Sequence, residues 1–226
     1  MKKAVMCWSG GKDSAMALHK VMQDQSYKII ALLTTFNQQH QVPMHQIPES
    51  LMQQQVEAIG LPWYKVYLDE GDNADYEKKM QEQFLTFRQE GISAMVFGDI
   101  FLEDIRAYRE SKLEGTGISA VFPLWGIPSD TLLDYFVKQG FRSIICCMDA
   151  SLFDSSLIGT EINSQFIRQL PQDIDPCGEN GEYHSFCFSG PVFHREVVFT
   201  SGEICRLVFD GMNGGPANTF WTIELI

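Results

Sequence analysis

Short apolar runs alternate with amphipathic stretches along the first half of the chain, and this alternation limits the fold more than any other feature. Lys3–Trp8, Lys28–Thr34, Trp63–Leu68, Ala94–Phe97 and Ala120–Phe122 are β-rich and apolar. Between them, Ser14–Met22, Glu49–Ile59, Asp75–Glu90 and Glu103–Leu113 read as helices. The first places Ala15, Leu18, Val21 and Met22 on one face. Gly60 is expected to cap the second, and Pro62 prevents its resumption. Strands separated by such helices predict an α/β fold with a parallel, doubly wound sheet. Ligands of these sheets bind at the carboxyl ends of the strands. The tips after Trp8, Thr34 and Phe97 are therefore expected to meet in one cleft.

After Gly126 the pattern changes. A helix (Thr131–Gln139), a strand (Arg142–Met148) and a second helix (Glu161–Leu170) are expected first. Loops rich in Pro, Gly and Asn follow, with short β-runs at Tyr183–Phe188, Glu196–Thr200, Glu203–Phe209 and Thr219–Ile226. This predicts a smaller α+β domain over 127–226, with residues 1–126 as the first domain.

Charge narrows the partners. The chain has 226 residues, 17 Lys and Arg against 29 Asp and Glu, and a net charge of −12. A nucleic-acid binder needs a basic surface, as does a protein docking on an anionic membrane, so neither partner is expected. The acid is uneven. Residues 1–126 carry 12 basic and 16 acidic side chains, whereas residues 127–226 carry 5 and 13. No signal-like or membrane-length apolar stretch is visible, and none of the six cysteines forms a C-x-x-C pair. The expectation is a cytoplasmic protein with free thiols and no disulfide or structural zinc.

Between the first strand and helix stands Ser9-Gly10-Gly11-Lys12-Asp13-Ser14. Glycines let the backbone turn tightly and approach an anion. The helix that follows offers free N–H groups and the positive end of its dipole. Ser9 and Ser14 add hydroxyls, and Lys12 adds charge. Asp13 suits a Mg²⁺ that accompanies phosphates. The string is not a Walker A loop, because Met6 stands where that motif needs glycine. In this strand–turn–helix setting it predicts a nucleotide site, the alternative being a plain turn capped by serine.

A second concentration of chemistry is Asp175-Pro176-Cys177-Gly178-Glu179-Asn180-Gly181-Glu182-Tyr183-His184. Two carboxylates three residues apart can hold Mg²⁺ or position an amine and take its proton. A solvated hairpin turn is an equal reading of the residues alone. His184 reads as a base or as a strand-start residue. Asp99 and Arg106 lie near the tip after Phe97, where a carboxylate can bind Mg²⁺ and a guanidinium can meet a phosphate or a substrate carboxylate. An ordinary acid-rich first helical turn fits the same residues. His40 and His45 are read as loop histidines rather than a metal pair, and Trp125 as packing.

The phosphate loop resembles that of the N-type ATP pyrophosphatases, the PP-loop enzymes that cleave ATP between its α- and β-phosphates. Several further features resemble the diphthine–ammonia ligase (diphthamide synthetase) family. These are Met44-His45, Gln55 with Ile59-Gly60-Leu61-Pro62, Gly98, Arg106, Pro123-Leu124-Trp125-Gly126, and Gly178-Glu179-Asn180-Gly181-Glu182-Tyr183-His184-Ser185-Phe186. The archaeal type reads Gly-Ala and a later Tyr-Gln-Arg. Gly98-Asp99 and Asp104-Ile105-Arg106 depart from it and look closer to bacterial members. Which carboxylate is the substrate, diphthine or another, is therefore left open.

The resemblance implies an AMP-forming amide ligase that uses ATP and Mg²⁺. It adenylates a small-molecule or protein-borne carboxylate, and ammonia or an amine displaces AMP. Ser9 to Ser14 would hold ATP, with Thr34 and Thr35 near its adenine and Lys12, Asp13, Glu179 and Glu182 in catalytic roles. His45, Asp99, Arg106, Gly178, Gly181 and His184 would face the substrate, and Asp13 would hold Mg²⁺. A homodimer is compatible with the sequence. Two rival readings are a PP-loop sulfur-transfer enzyme acting on tRNA and a non-catalytic adenine-nucleotide-binding module.

Overall fold

β1 (Lys2–Cys7) has Ala4, Val5 and Met6 fully buried, as a strand at the centre of a covered sheet must. In the computed structural model, which describes residues 1–69, 73–209 and 217–226, it pairs in parallel on both edges. The sheet adds β2 (Tyr27–Phe36), β3 (Trp63–Tyr67), β4 (Ala94–Val96) and β5 (Ser119–Val121), in the order β3-β2-β1-β4-β5. Chain direction across the sheet reverses between β1 and β4, which is the switch point where such folds bind ligands.

Side chains alternate between the two faces, as the pleat requires. Ala4 and Met6 join one core, with the helices α1 (Lys12–Gln23) and α2 (Glu49–Ile59). Val5 joins the other, with Met80, Phe84 and Phe87 of α3 (Asn73–Gln89) and Leu113 of α4 (Glu103–Leu113). α2 ends at Gly60 in the left-handed conformation (φ 78°), as expected.

The second half supplies α5 (Ser129–Lys138), a short α6 (Ser164–Gln169) and an antiparallel sheet. Its strands are β6 (Arg142–Asp149), β7 (Tyr183–Ser189), β8 (Ser201–Phe209) and β9 (Asn218–Leu225), in the order β7-β6-β9-β8. The first core does not stop at the parallel sheet: it continues through Leu132 and Phe136 to Ile145, Met148, Phe186 and Ile223. No helix among the described residues is long and apolar enough to cross a membrane.

Two elements differ from expectation. α6 is shorter than Glu161–Leu170 because the Asn163 side chain caps it, accepting from Gln165 N–H at 2.8 Å and Phe166 N–H at 3.1 Å. Glu161 instead bridges Ile144 on β6. Glu196–Thr200 forms no strand. It is tied down at single points, with Val197 N–H donating to Phe188 O at 2.8 Å and Thr200 exchanging two hydrogen bonds with Ile226.

A core shared by both sheets predicts one cooperative unfolding event. Far-UV circular dichroism and tryptophan fluorescence should report coincident urea transitions. Trp8 and Trp63 serve as probes of the first sheet and Trp221 of the second. Two separated transitions would contradict this.

Candidate active site

The tips of β1, β2 and β4 do converge, on a cleft of about 400 Å³. Ser9, Asp13 and Ser14 line its floor, Leu33 to Thr35 one side, and Phe97 to Asp99 the other. Val42 to His45, Tyr76 and Met80, Arg109, Glu179 and His184 complete the wall. The loop from Ser9 to Ser14 gets its shape from Gly10, whose φ is +80°. A Cβ there would lie 2.7 Å from the Met52 sulfur. Gly11 at the start of α1 has no side chain to cap it and only the Lys12 N–H is taken, by Ser185 Oγ, so the charge-attracting end of the helix still faces the cleft at Asp13 and Ser14. Ser14 Oγ donates to Gly11 O (2.9 Å), and Ser9 Oγ accepts from Gly11 N–H (3.3 Å).

The second half reaches directly onto this loop. Cys187 N–H on β7 donates to Gly10 O at 2.8 Å, and Ser185 Oγ accepts from Lys12 N–H at 3.1 Å. Buried Gln55 closes the joint. Its amide nitrogen donates to Gly10 O (2.9 Å) and Cys187 O (2.6 Å), and its oxygen accepts from Trp8 Nε1 (2.9 Å). The two motifs from opposite ends of the sequence are thus in contact.

Lys12 is buried and does not line the cleft. Its ammonium donates to Asp13 Oδ2 (2.8 Å) and the Cys177 carbonyl, and lies 4.8 Å from the centre of the Tyr183 ring. Burial works against its charge, but Asp13 beside it holds its pKa above the usual value. Asp13 feels the opposite balance: burial pushes its pKa up, against the pull of Lys12. Its Oδ1 is buried without a hydrogen-bond partner. That unspent oxygen, beside an open helix terminus, is the feature that fits a Mg²⁺ carried in by phosphates.

Glu179 and Glu182 take different positions. Glu179 lines the cleft and accepts from Ile100 N–H at 2.7 Å. Burial, reinforced by the Asp13 carboxylate, raises its pKa to about 7, although the Ile100 N–H pulls it down. Glu182 is buried outside the cleft lining. Its Oε1 accepts from Asp175 N–H (3.1 Å) and Asn180 Nδ2 (2.9 Å), and its Oε2 has no partner. Asp175 Oδ2 accepts from the N–H groups of Cys177 and Glu179, so these two acids brace the loop that presents Glu179. Gly178 (φ +69°) packs where a Cβ would lie 2.8 Å from Tyr183, and Gly181 N–H donates to Gly178 O.

The histidines His45 and His184 face each other, with ring centres 4.8 Å apart. Burial lowers the pKa of His45 to about 4 and that of His184 well below its usual value, so both rings are neutral. His45 Nδ1 lies 3.1 Å from Ser185 O, while His184 Nε2 is buried and unpartnered. Thr34 Oγ1 donates to Trp8 O (2.8 Å) and accepts from Trp63 Nε1 (3.0 Å), which ties the β1 tip to β3. Thr35 lines the cleft.

Arg106 lies away from the cleft lining. It pairs with Glu110 one turn along α4 (2.9 Å) and packs over Phe122 and Trp125. Arg109, which the sequence did not single out, takes the place in the wall. It forms a two-point fork with Asp99 (2.6 and 3.1 Å) and lies over Phe97. No signal in the sequence separates the two, because residues three apart on α4 are neighbours on one side of the helix. All six cysteines are free. Burial pushes the thiols of Cys7, Cys147 and Cys187 up to about 12, and raises Cys146 and Cys177 as well. These are not thiolates poised for sulfur transfer.

Residues 1–119 match the diphthamide synthase N-terminal domain, and residues 128–213 match its C-terminal domain. The diphthine–ammonia ligase of Mus musculus is 25% identical over 86% of this chain and 82% of its own length. That of Bos taurus is 23% identical over 87% and 82%. Among solved structures, a predicted subunit of tRNA methyltransferase from Methanocaldococcus jannaschii aligns at 17% identity with a TM-score of 0.41. That alignment covers 63% of this chain and 77% of the other.

Two outcomes follow from this geometry. Gln55→Leu leaves the indole N–H of Trp8 without its partner and removes a donor from each of two carbonyls, Gly10 O and Cys187 O. It should lower stability by about 2–5 kcal/mol, read from urea unfolding. Glu179 carries a folded pKa raised from 4.5 to about 7, so the folded state holds its proton longer than the unfolded chain. Stability should fall as pH rises through that window. Glu179→Gln should unfold like the parent at pH 4 and be the more stable of the two at pH 8.

Proposed function

Because the chain belongs to the diphthamide synthase family, we propose that it is an ATP-dependent amide ligase that adenylates a carboxylate and then passes the acyl group to ammonia. It is an enzyme of the ligase type that forms C–N bonds, as the names of its relatives indicate. The observation that carries the mechanism is a carboxylate whose pKa is raised to about 7, Glu179, in the same cleft as the N-terminal turn of α1.

In this reading residues 1–126 bind ATP and supply Arg109 to the carboxylate, and residues 127–226 supply Glu179 and His184. The N-terminus of α1 and the hydroxyls of Ser9 and Ser14 receive the β- and γ-phosphates. Thr35 and the backbone after β2 border the adenine, with Thr34 holding that tip in place. Asp13 Oδ1 is the group that would hold Mg²⁺, which would neutralise charge on the leaving pyrophosphate. Lys12 acts by position, fixing Asp13 and the Cys177 carbonyl together.

The acceptor carboxylate needs a cation. Arg109 is the one charged donor among the described cleft-lining residues, since His45 and His184 are neutral. Its fork with Asp99 is the contact an incoming carboxylate would share or replace. A carboxylate oxygen attacks the α-phosphorus and pyrophosphate leaves. Ammonia then attacks the acyl carbon, AMP leaves with that oxygen, and Glu179 takes the proton lost by nitrogen. His184 Nε2 can accept from the same nitrogen. Glu182 acts through the loop, by orienting Glu179. For the relatives, diphthine is the carboxylate their name gives; here the class is a carboxylate on a small molecule or a protein.

Incubation with ATP, Mg²⁺, ammonium and candidate acids should release AMP and pyrophosphate in equal amounts. ADP and phosphate as the products would overturn the mechanism. The rate should rise with pH through about 7 as Glu179 ionises. Glu179→Gln should lose that limb and about 10²–10⁴-fold in rate.

A further inference from the structure

A small branch of the cleft lies between α3 and α4. It holds about 30 Å³, against about 400 Å³ for the cleft itself. Tyr76, Met80, Phe97 and Arg109 line both spaces, so the two adjoin at Arg109. Phe84, Met95 and Leu113, none more than 6% exposed, make the rest of the wall apolar. A single water needs roughly 10–15 Å³ of such space, which leaves room for roughly two or three heavy atoms.

The charged groups at this branch are already paired. Lys112 lies 2.7 Å from Glu77, and Tyr108 donates to the same carboxylate at 3.4 Å. Arg109 is held by Asp99 and hydrogen-bonded to the Tyr76 hydroxyl. Arg109 also lies 4.7 Å from the centre of the Phe97 ring, and the Lys112 ammonium 5.2 Å from that of Tyr108. A cation entering here would meet two cations against the aromatic rings, with Glu77 and Asp99 committed to them. An apolar group would meet apolar walls and release the water that wets them.

We propose that this branch receives the substituent of the acceptor acid, an uncharged aliphatic group of about three carbons, while Arg109 holds the carboxylate. The inference rests on the reading of Arg109 as the partner of that carboxylate. It makes the substrate an aliphatic acid rather than one with a cationic group beside its carboxyl. The two sides of the cleft then differ in kind, with Glu179 facing the amine and the α3–α4 side facing hydrocarbon.

Two acids of one shape separate charge from size. They are isovalerate and N,N-dimethylglycine, in which a protonated nitrogen stands where isovalerate has its branching carbon. Acetate lacks the substituent. Saturation-transfer NMR reads binding of each acid to the whole chain, and AMP release with ATP, Mg²⁺ and ammonium reads turnover. Isovalerate should bind, with kcat/KM about 10–200-fold above that of acetate. Dimethylglycine should do no better than acetate. Leu113→Phe, which fills the branch, should bring isovalerate down to acetate and leave acetate unchanged. Phe84→Leu, which enlarges it, should move the preference to 4-methylpentanoate, a gain that a misfolded chain would not show. No binding of isovalerate, equal binding of all three acids, a preference for dimethylglycine, or an isovalerate preference that survives Leu113→Phe would each overturn the proposal. Isovalerate binding that Leu113→Phe abolishes, without AMP from any acid, would uphold the branch as a site for an aliphatic acid and overturn the ligase reading instead.

Discussion

Gly10 O is the point on which the site depends. It accepts from the Cys187 N–H of β7 and from the Gln55 amide, and Gln55 in turn holds Cys187 O and the Trp8 indole. One buried side chain therefore fixes the β1 tip, the glycine loop and the second sheet together. Each of these bonds lies in a dry joint, where leaving one unmade costs far more than its net contribution when made. The left-handed turn at Gly10 is the price of bringing that carbonyl to face β7. Only a residue without Cβ can stand there, with Met52 and Gln55 so close.

The same joint explains why the loop and the acidic cluster form one cleft although some 165 residues separate them. Ser185 accepts from the Lys12 N–H, and its carbonyl faces His45. Lys12 Nζ reaches the Cys177 carbonyl. The loop from Asp175 to Glu182 cannot move far without breaking these contacts. Glu179, hydrogen-bonded to Ile100 at the other side of the cleft, is therefore held rather than free to swing into solvent. Burial at that position raises its pKa, with the Ile100 N–H that holds it pulling the other way.

The elements were legible in the sequence because they rest on local pattern. Apolar runs of period two or near 3.6 give strands and helices, and Gly60 and the bounds of α4 emerge where such reasoning puts them. Glu196–Thr200 has strand composition but no neighbour to form a ladder with, and ladder pairing is not written in a five-residue string. The site was legible as a set of strings and much less as a set of directions. Glu179 and Glu182 look equivalent by type, yet one faces the cleft and the other braces the loop. Arg106 and Arg109 are a helical turn apart, and the aromatic pair Phe122 and Trp125 holds the first while Asp99 receives the second. Side-chain direction was set by partners distant in sequence, and a single chain does not display those.

Lys12 is the sharpest case, and it changes how the anion site works. A lysine beside a glycine loop suggests a point charge aimed at phosphate. Here the ammonium is buried against Asp13 and a carbonyl, so its charge is offset within the loop itself. Burying such a pair gains little stability, because desolvation consumes most of the attraction. What the pair does is fix geometry: it turns one Asp13 oxygen inward and leaves the other, Oδ1, without a partner beside the uncapped start of α1. An anion alone would meet the helix N–H groups and be repelled by that oxygen. A metal-bound polyphosphate would satisfy both. The arrangement therefore favours phosphate that arrives with a divalent cation over phosphate that arrives without one, and it does so through backbone donors and a single oriented carboxylate rather than through the lysine.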